Sequence, residues 1–228
     1  MKKTTFVALL LLSLQCCADG AVNSVQAIES EWASIYYNLP KISQEAAYDA
    51  LLKKTVKLAE QYPTSSEPLF WQAVILATNA ELQDGFSALN AIHKSRDLLL
   101  KSINMNPQTA NGSAYVTLGS LYYMVPKWPI AFGDIKKAEQ MFQAALKINP
   151  NGIDTNYFYG DFLLANNQAE EAEKYFERAL SAPTREDQPF ADNKLKEEVK
   201  LALANTKNRK INGVKSAFLS LFNSASLK

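Results

Sequence analysis

Apolar residues between positions 22 and 205 recur at three- and four-residue intervals, the spacing that lines up side chains along one face of an α-helix. Val22, Val25, Ile28, Trp32, Ile35 and Tyr36 mark a first helix that ends before Leu39-Pro40. A second helix, over 43–60, carries Ala47, Leu51, Leu52, Val56, Leu58 and Ala59 and stops at Tyr62-Pro63. In the third, Phe70, Trp71, Ala73, Val74, Leu76 and Ala77 leave almost no polar face, as expected of a helix held between neighbours. Asp84-Gly85 breaks that run, and its partner is expected from Leu89 to Ile103. Further helices follow around Tyr115 to Tyr123, Ala138 to Ala145, Tyr159 to Leu163 and Ala172 to Ala179. A polar loop from Thr184 to Phe190 then precedes a helix from Ala191 to Asn205.

Two of these segments superimpose at a fixed offset. Ala138, Phe142 and Ala145 recur as Ala172, Phe176 and Ala179, 34 residues on, and Ser95, Leu99 and Ser102 stand at the same distances from Pro107 as the first triplet does from Pro150. Small residues let two helices approach while the large one fills the space between turns. Gly119 and Gly160 fall inside the preceding helices, where glycine costs about 1 kcal/mol against alanine, so each implies a close backbone contact. The period and the small, large, small code resemble the tetratricopeptide helical hairpin. The resemblance implies an all-α fold of hairpins stacked in a right-handed superhelix, with extra helices at both ends, and a surface for binding rather than chemistry.

The chain divides at 1–18, 19–205 and 206–228. Lys2 and Lys3 precede an uncharged run from Phe6 to Leu14 and then small residues, which reads as a secretory signal peptide, too short for the roughly 20 residues of a membrane span. Both cysteines lie at its end. Cleavage after Ala18 would leave a mature chain without cysteine; alternatively, Leu14-Gln15-Cys16-Cys17 resembles a lipobox with Cys17 as the acylated residue, anchoring the protein to a membrane through an N-terminal lipid. Either way the expected location is periplasmic, with attachment to the outer membrane in the second case. The net charge of +1 falls to about −1 when Lys2 and Lys3 are lost, which gives no electrostatic case for nucleic acid. After Glu198 the remaining charges are all basic, and Ile211, Val214, Phe218, Leu221 and Phe222 would share one helical face. That tail reads either as a terminal helix on the last repeat or as a segment for anionic lipid or an acidic partner.

No catalytic set is visible. His93, the single histidine, is expected near a helix start with no cysteine or carboxylate at ligand spacing, and there is neither a Gly-x-Ser-x-Gly turn nor a glycine-rich phosphate loop. Glu170, Glu171 and Glu173 share a helix with Lys174 and Arg178 and read as a solvated face. No enzyme activity, cofactor or metal site is expected. One segment, Met124 to Asp134, interrupts a hairpin with two prolines and Gly133, so an ordered non-helical path is expected. Its Trp128, Ile130 and Phe132 should either plug the superhelix or line a binding site beside Tyr122 and Tyr123.

Counted from the pattern glycine, the positions that face the groove in tetratricopeptide proteins fall on Phe70, Val74 and Ala77, on Val116, Ser120 and Tyr123, and on Tyr157, Asp161 and Leu164. The set suits an apolar peptide, a small apolar ligand or another subunit. The leader, the degenerate repeats, Trp128-Pro129, Phe132-Gly133-Asp134 and the helix end from Ala145 to Pro150 together resemble the T component of tripartite ATP-independent periplasmic transporters, over residues 45–205. The resemblance implies a periplasmic adaptor that pairs with a substrate-binding protein and helps pass an apolar ligand. The competing reading is an envelope-assembly scaffold lipoprotein serving the outer membrane.

Overall fold

All nine residues of the three small, large, small triplets are fully buried, so the recurring pattern is a packing code. The computed structural model describes residues 22–207, which form nine α-helices and no strand among the described residues. They are α1 (22–38), α2 (Lys41–Gln61), α3 (Glu67–Asn79), α4 (Gly85–Met105), α5 (Ser113–Met124), α6 (Ile135–Ile148), α7 (Ile153–Ala165), α8 (Ala169–Ser181) and α9 (Pro189–Lys207). The leader, Cys17 and the tail from 208 onward lie outside the described residues.

Helices α3 and α4, α5 and α6, and α7 and α8 pack as consecutive antiparallel hairpins, with α2 against α3 and α9 against α7 and α8. In each hairpin the close approach has a visible cause. An ideal Cβ on Gly119 would lie 3.2 Å from the Phe142 ring, and one on Gly160 would lie 2.7 Å from Phe176. In the α3/α4 hairpin, Ala73 takes the glycine position and its carbonyl accepts a 2.8 Å hydrogen bond from the Ser95 hydroxyl, so serine replaces alanine without leaving a buried polar group unpaired. Phe142 also stacks its neighbours together, with ring centroids 5.2 Å from Phe162 and 5.7 Å from Tyr159 on α7.

One helix start differs from expectation. Asp84 lies in the break before α4 and also caps it: its carboxylate accepts from the Phe86 and Ser87 amides, so α4 starts at Gly85 and not at Leu89. His93 consequently lies mid-helix, its ring centroid 5.1 Å from that of Phe132 in an edge-on contact. The last carbonyls of α1 are satisfied from α2, where buried Gln44 donates to Ile35, Tyr36 and Leu39.

The interruption between α5 and α6 takes the ordered path its prolines and glycine predict. Gly133 donates to the Pro126 carbonyl and Asp134 to that of Tyr122, at 2.9 and 2.8 Å, after which the Asp134 side chain caps α6. Any side chain at position 133 would strike the Val125 carbonyl, 2.2 Å from an ideal Cβ. Phe132 packs on α4 and α5, 4.6 Å below the Arg96 guanidinium and edge-on to Tyr122.

Candidate functional site

Helix α1 lies across one face of the hairpin stack. Trp32 reaches α3, where its ring tilts against Trp71 at 5.8 Å and its indole N–H donates to the Thr78 hydroxyl at 3.2 Å. At the other end of the stack, Gln26 donates to Asp187, Arg185 pairs with Glu29, and the Tyr37 ring meets Phe190 edge-on. Helix α1, the loop after α8 and α9 thus close over the first helix of each hairpin.

Beneath this roof is a cavity of about 350 Å³. Its floor comes from α3, α5 and α7, and its cover from α1, the loop after α8, and α9; no lining side chain belongs to α4, α6 or α8. Trp32, Tyr36, Phe70, Trp71 and Phe158 provide aromatic wall, and Val25, Val74, Val116 and Leu195 fill in between. The size falls within the range of about 300–1,000 Å³ typical of small-molecule sites.

The expected groove positions divide three ways. Phe70, Val74, Val116 and Ser120 line the cavity. Tyr123, Tyr157 and Asp161, like the buried Ala77, are not on the lining: the Tyr123 hydroxyl donates to Asp161, and the buried Tyr157 ring packs against Phe176. On α7 the lining residues are Asp154 and Phe158, the equivalents of Ser113 and Thr117 on α5, and Leu164 lies outside the lining. Helix α9 packs on α7 and α8 as α7 packs on α5 and α6. Tyr122, Trp128 and Phe132 are not among the lining residues. The interrupting loop neither plugs nor lines this cavity, because Phe132 is anchored to α4 while Trp128 and Ile130 remain 85% and 63% exposed.

Ionisable groups, which periodicity does not reveal, stand among the aromatic rings. Glu29, Glu67, Asp154, Asp192 and Glu198 line the cavity together with a single base, Arg185. Arg185 is committed to Asp192, at 2.6 Å through one terminal nitrogen and 3.1 Å through Nε, and reaches Glu29 at 3.5 Å. Burial pushes the Glu29 carboxyl up to about 7, against the pull of Arg185, and burial likewise raises Glu198 to about 7 despite the neighbouring Tyr37 and Tyr157 hydroxyls. Glu67 is raised by burial against a 2.8 Å hydrogen bond from the Ala110 amide, and Asp161 is raised to about 6 by burial. Two polar atoms on the lining, Ser120 Oγ and Gln188 Oε1, have no hydrogen-bond partner among the described residues, although these residues are only 2% and 9% exposed.

Among the described residues no group of three histidine, cysteine or acidic side chains is placed to hold a metal, and no helix is long and apolar enough to cross a membrane. No curated protein sequence matches the chain. Residues 130–188 match the family described as tetratricopeptide repeat, a span from the interrupting loop through α6, α7 and α8 to the loop that carries Arg185. That match, with the buried triplets and the stacked hairpins, supports a tetratricopeptide-like helical repeat, a module that commonly binds protein partners.

Proposed function

We propose that the chain is a non-enzymatic adaptor of the cell envelope that holds a small ligand with an apolar body under α1 and presents its outer surface to a protein partner. The observation that carries this reading is the roofed cavity: helix α1 converts an open face of the stack into an aromatic-walled compartment of small-molecule size. A groove that only gripped an extended peptide would need that face free, whereas α1 covers it through the Trp32 and Glu29 contacts.

The resemblance to the T component of tripartite ATP-independent periplasmic transporters supports the periplasm as the compartment and a substrate-binding protein as the partner. Exposed Trp128 and Ile130, on an otherwise ordered loop, give such a partner an apolar contact. Filling the cavity tests the ligand half of the proposal. Val116→Trp should abolish binding of small amphiphiles in calorimetric titration while the helical circular dichroism is retained. Unchanged binding by the folded variant would refute the site.

A further inference from the structure

The cavity's charge is at odds with a purely apolar occupant. Five carboxylates line it against one guanidinium, and that guanidinium is already engaged by Asp192. Glu67, Asp154 and Glu198 take their hydrogen bonds from neutral donors: the Ala110 amide at 2.8 Å, the Ser113 hydroxyl at 2.5 Å and the Tyr37 hydroxyl. Burying carboxylates without counter-charge is costly, and an uncharged ligand would deepen that cost by displacing solvent from them. An anion would add repulsion.

The aromatic groups are placed for the opposite case. Trp32 lies stacked on Tyr36 at 5.2 Å and tilted against Trp71 at 5.8 Å, its orientation fixed by the hydrogen bond to Thr78. Indole and phenol faces attract cations through their quadrupole, most strongly when water is excluded.

We propose that the ligand of this cavity is an organic cation, an ammonium group on an apolar or aromatic body, held between the Trp32, Tyr36 and Trp71 rings and the Glu67 and Glu198 carboxylates. The inference rests on the reading that the cavity binds a small ligand, and names its chemical class. The rings contact the body and soften the charge, while the carboxylates supply discrimination between charged and neutral molecules of equal shape.

The test uses the full chain and three phenols of similar size: 3-hydroxyphenyltrimethylammonium, its uncharged isostere 3-tert-butylphenol, and the anion 3-hydroxybenzenesulfonate. Calorimetry should show the cation binding at least about tenfold more tightly than the isostere, with the anion weakest. Glu198→Gln and Glu67→Gln, both retaining hydrogen-bonding capacity, should each reduce that preference about threefold to tenfold without altering the isostere's affinity. Val116→Trp should remove binding of both. An isostere or anion that binds as tightly as the cation, or a preference unmoved by either Gln variant, overturns the cation and leaves the apolar-ligand reading standing. No binding by any of the three, or binding untouched by Val116→Trp in a folded protein, overturns both.

Discussion

Gly160 on α7 and Phe176 on α8 are in mutual contact so close that a methyl group on the glycine would lie 2.7 Å from the ring. The equivalent contact in the preceding hairpin, Gly119 with Phe142, leaves 3.2 Å. Alanine gains about 1 kcal/mol of helix propensity at either place, but overpacking of about 1–3 kcal/mol opposes it where the ring cannot yield. Gly160→Ala should therefore lower stability by about 1–2 kcal/mol in urea denaturation, and Gly119→Ala should stay within about 0.5 kcal/mol of the parent. Equal effects would show that the two hairpins are not packed as differently as their distances indicate.

Arg185 ties the loop after α8 both to α9, through Asp192, and to α1, through Glu29. Arg185→Met leaves the buried Asp192 carboxylate without its cation. The guanidinium is half exposed, so the loss should be about 2 kcal/mol, below the 3–5 kcal/mol of a fully buried pair. Hydrogen exchange of α1 amides should speed up more than that of α5 and α6, because α1 depends on this clasp. A uniform change across the chain would argue against it.

Acidification should stabilise the protein. Glu29 and Glu198 titrate near 7 in the fold against an ordinary value of 4.5, so between those limits the native state retains protons that the unfolded chain has released. Stability then falls as pH rises, by up to about 1.4 kcal/mol per unit for each group. The melting temperature should be higher at pH 5 than at pH 8. Glu198→Gln should flatten the slope, and a melting temperature that climbs towards pH 8 would contradict the burial of these carboxylates.

Phe132 and Trp128 belong to one loop but differ in what they touch. Phe132→Ala removes contacts with Tyr122, His93 and Arg96 and should cost about 2 kcal/mol, less than a fully buried Phe. Trp128→Ala, at an 85% exposed residue, should change stability by no more than about 0.5 kcal/mol while weakening association with the partner protein. Reversal of this order in thermal melts would place the loop differently.

The hairpins were legible in the sequence because their determinants are local. A small, large, small triplet one helical turn apart, and a glycine on the facing helix, state both the element and its packing, and Ser95, Leu99 and Ser102 follow the same rule although none of the three residues is repeated. Helix boundaries were less legible at Asp84, since an aspartate before glycine serves equally as a break and as a cap. Of the groove positions counted from the glycines, Phe70 and Val74 on α3 and Val116 and Ser120 on α5 line the cavity, while Ala77 and Tyr123 do not. On α7 none of the three counted positions lines it, and Asp154 and Phe158 do instead.

By itself the sequence determined which segments are helices and which face of each is buried, since periodicity and residue size act within a few turns. Only the tertiary structure decided that α1 crosses the stack, that Glu29 meets Arg185 over 156 residues of chain, and that five carboxylates gather among tryptophan and tyrosine rings. Those contacts depend on how many hairpins intervene and how far each turns the next. That sum over the whole fold cannot be read from any single stretch of it.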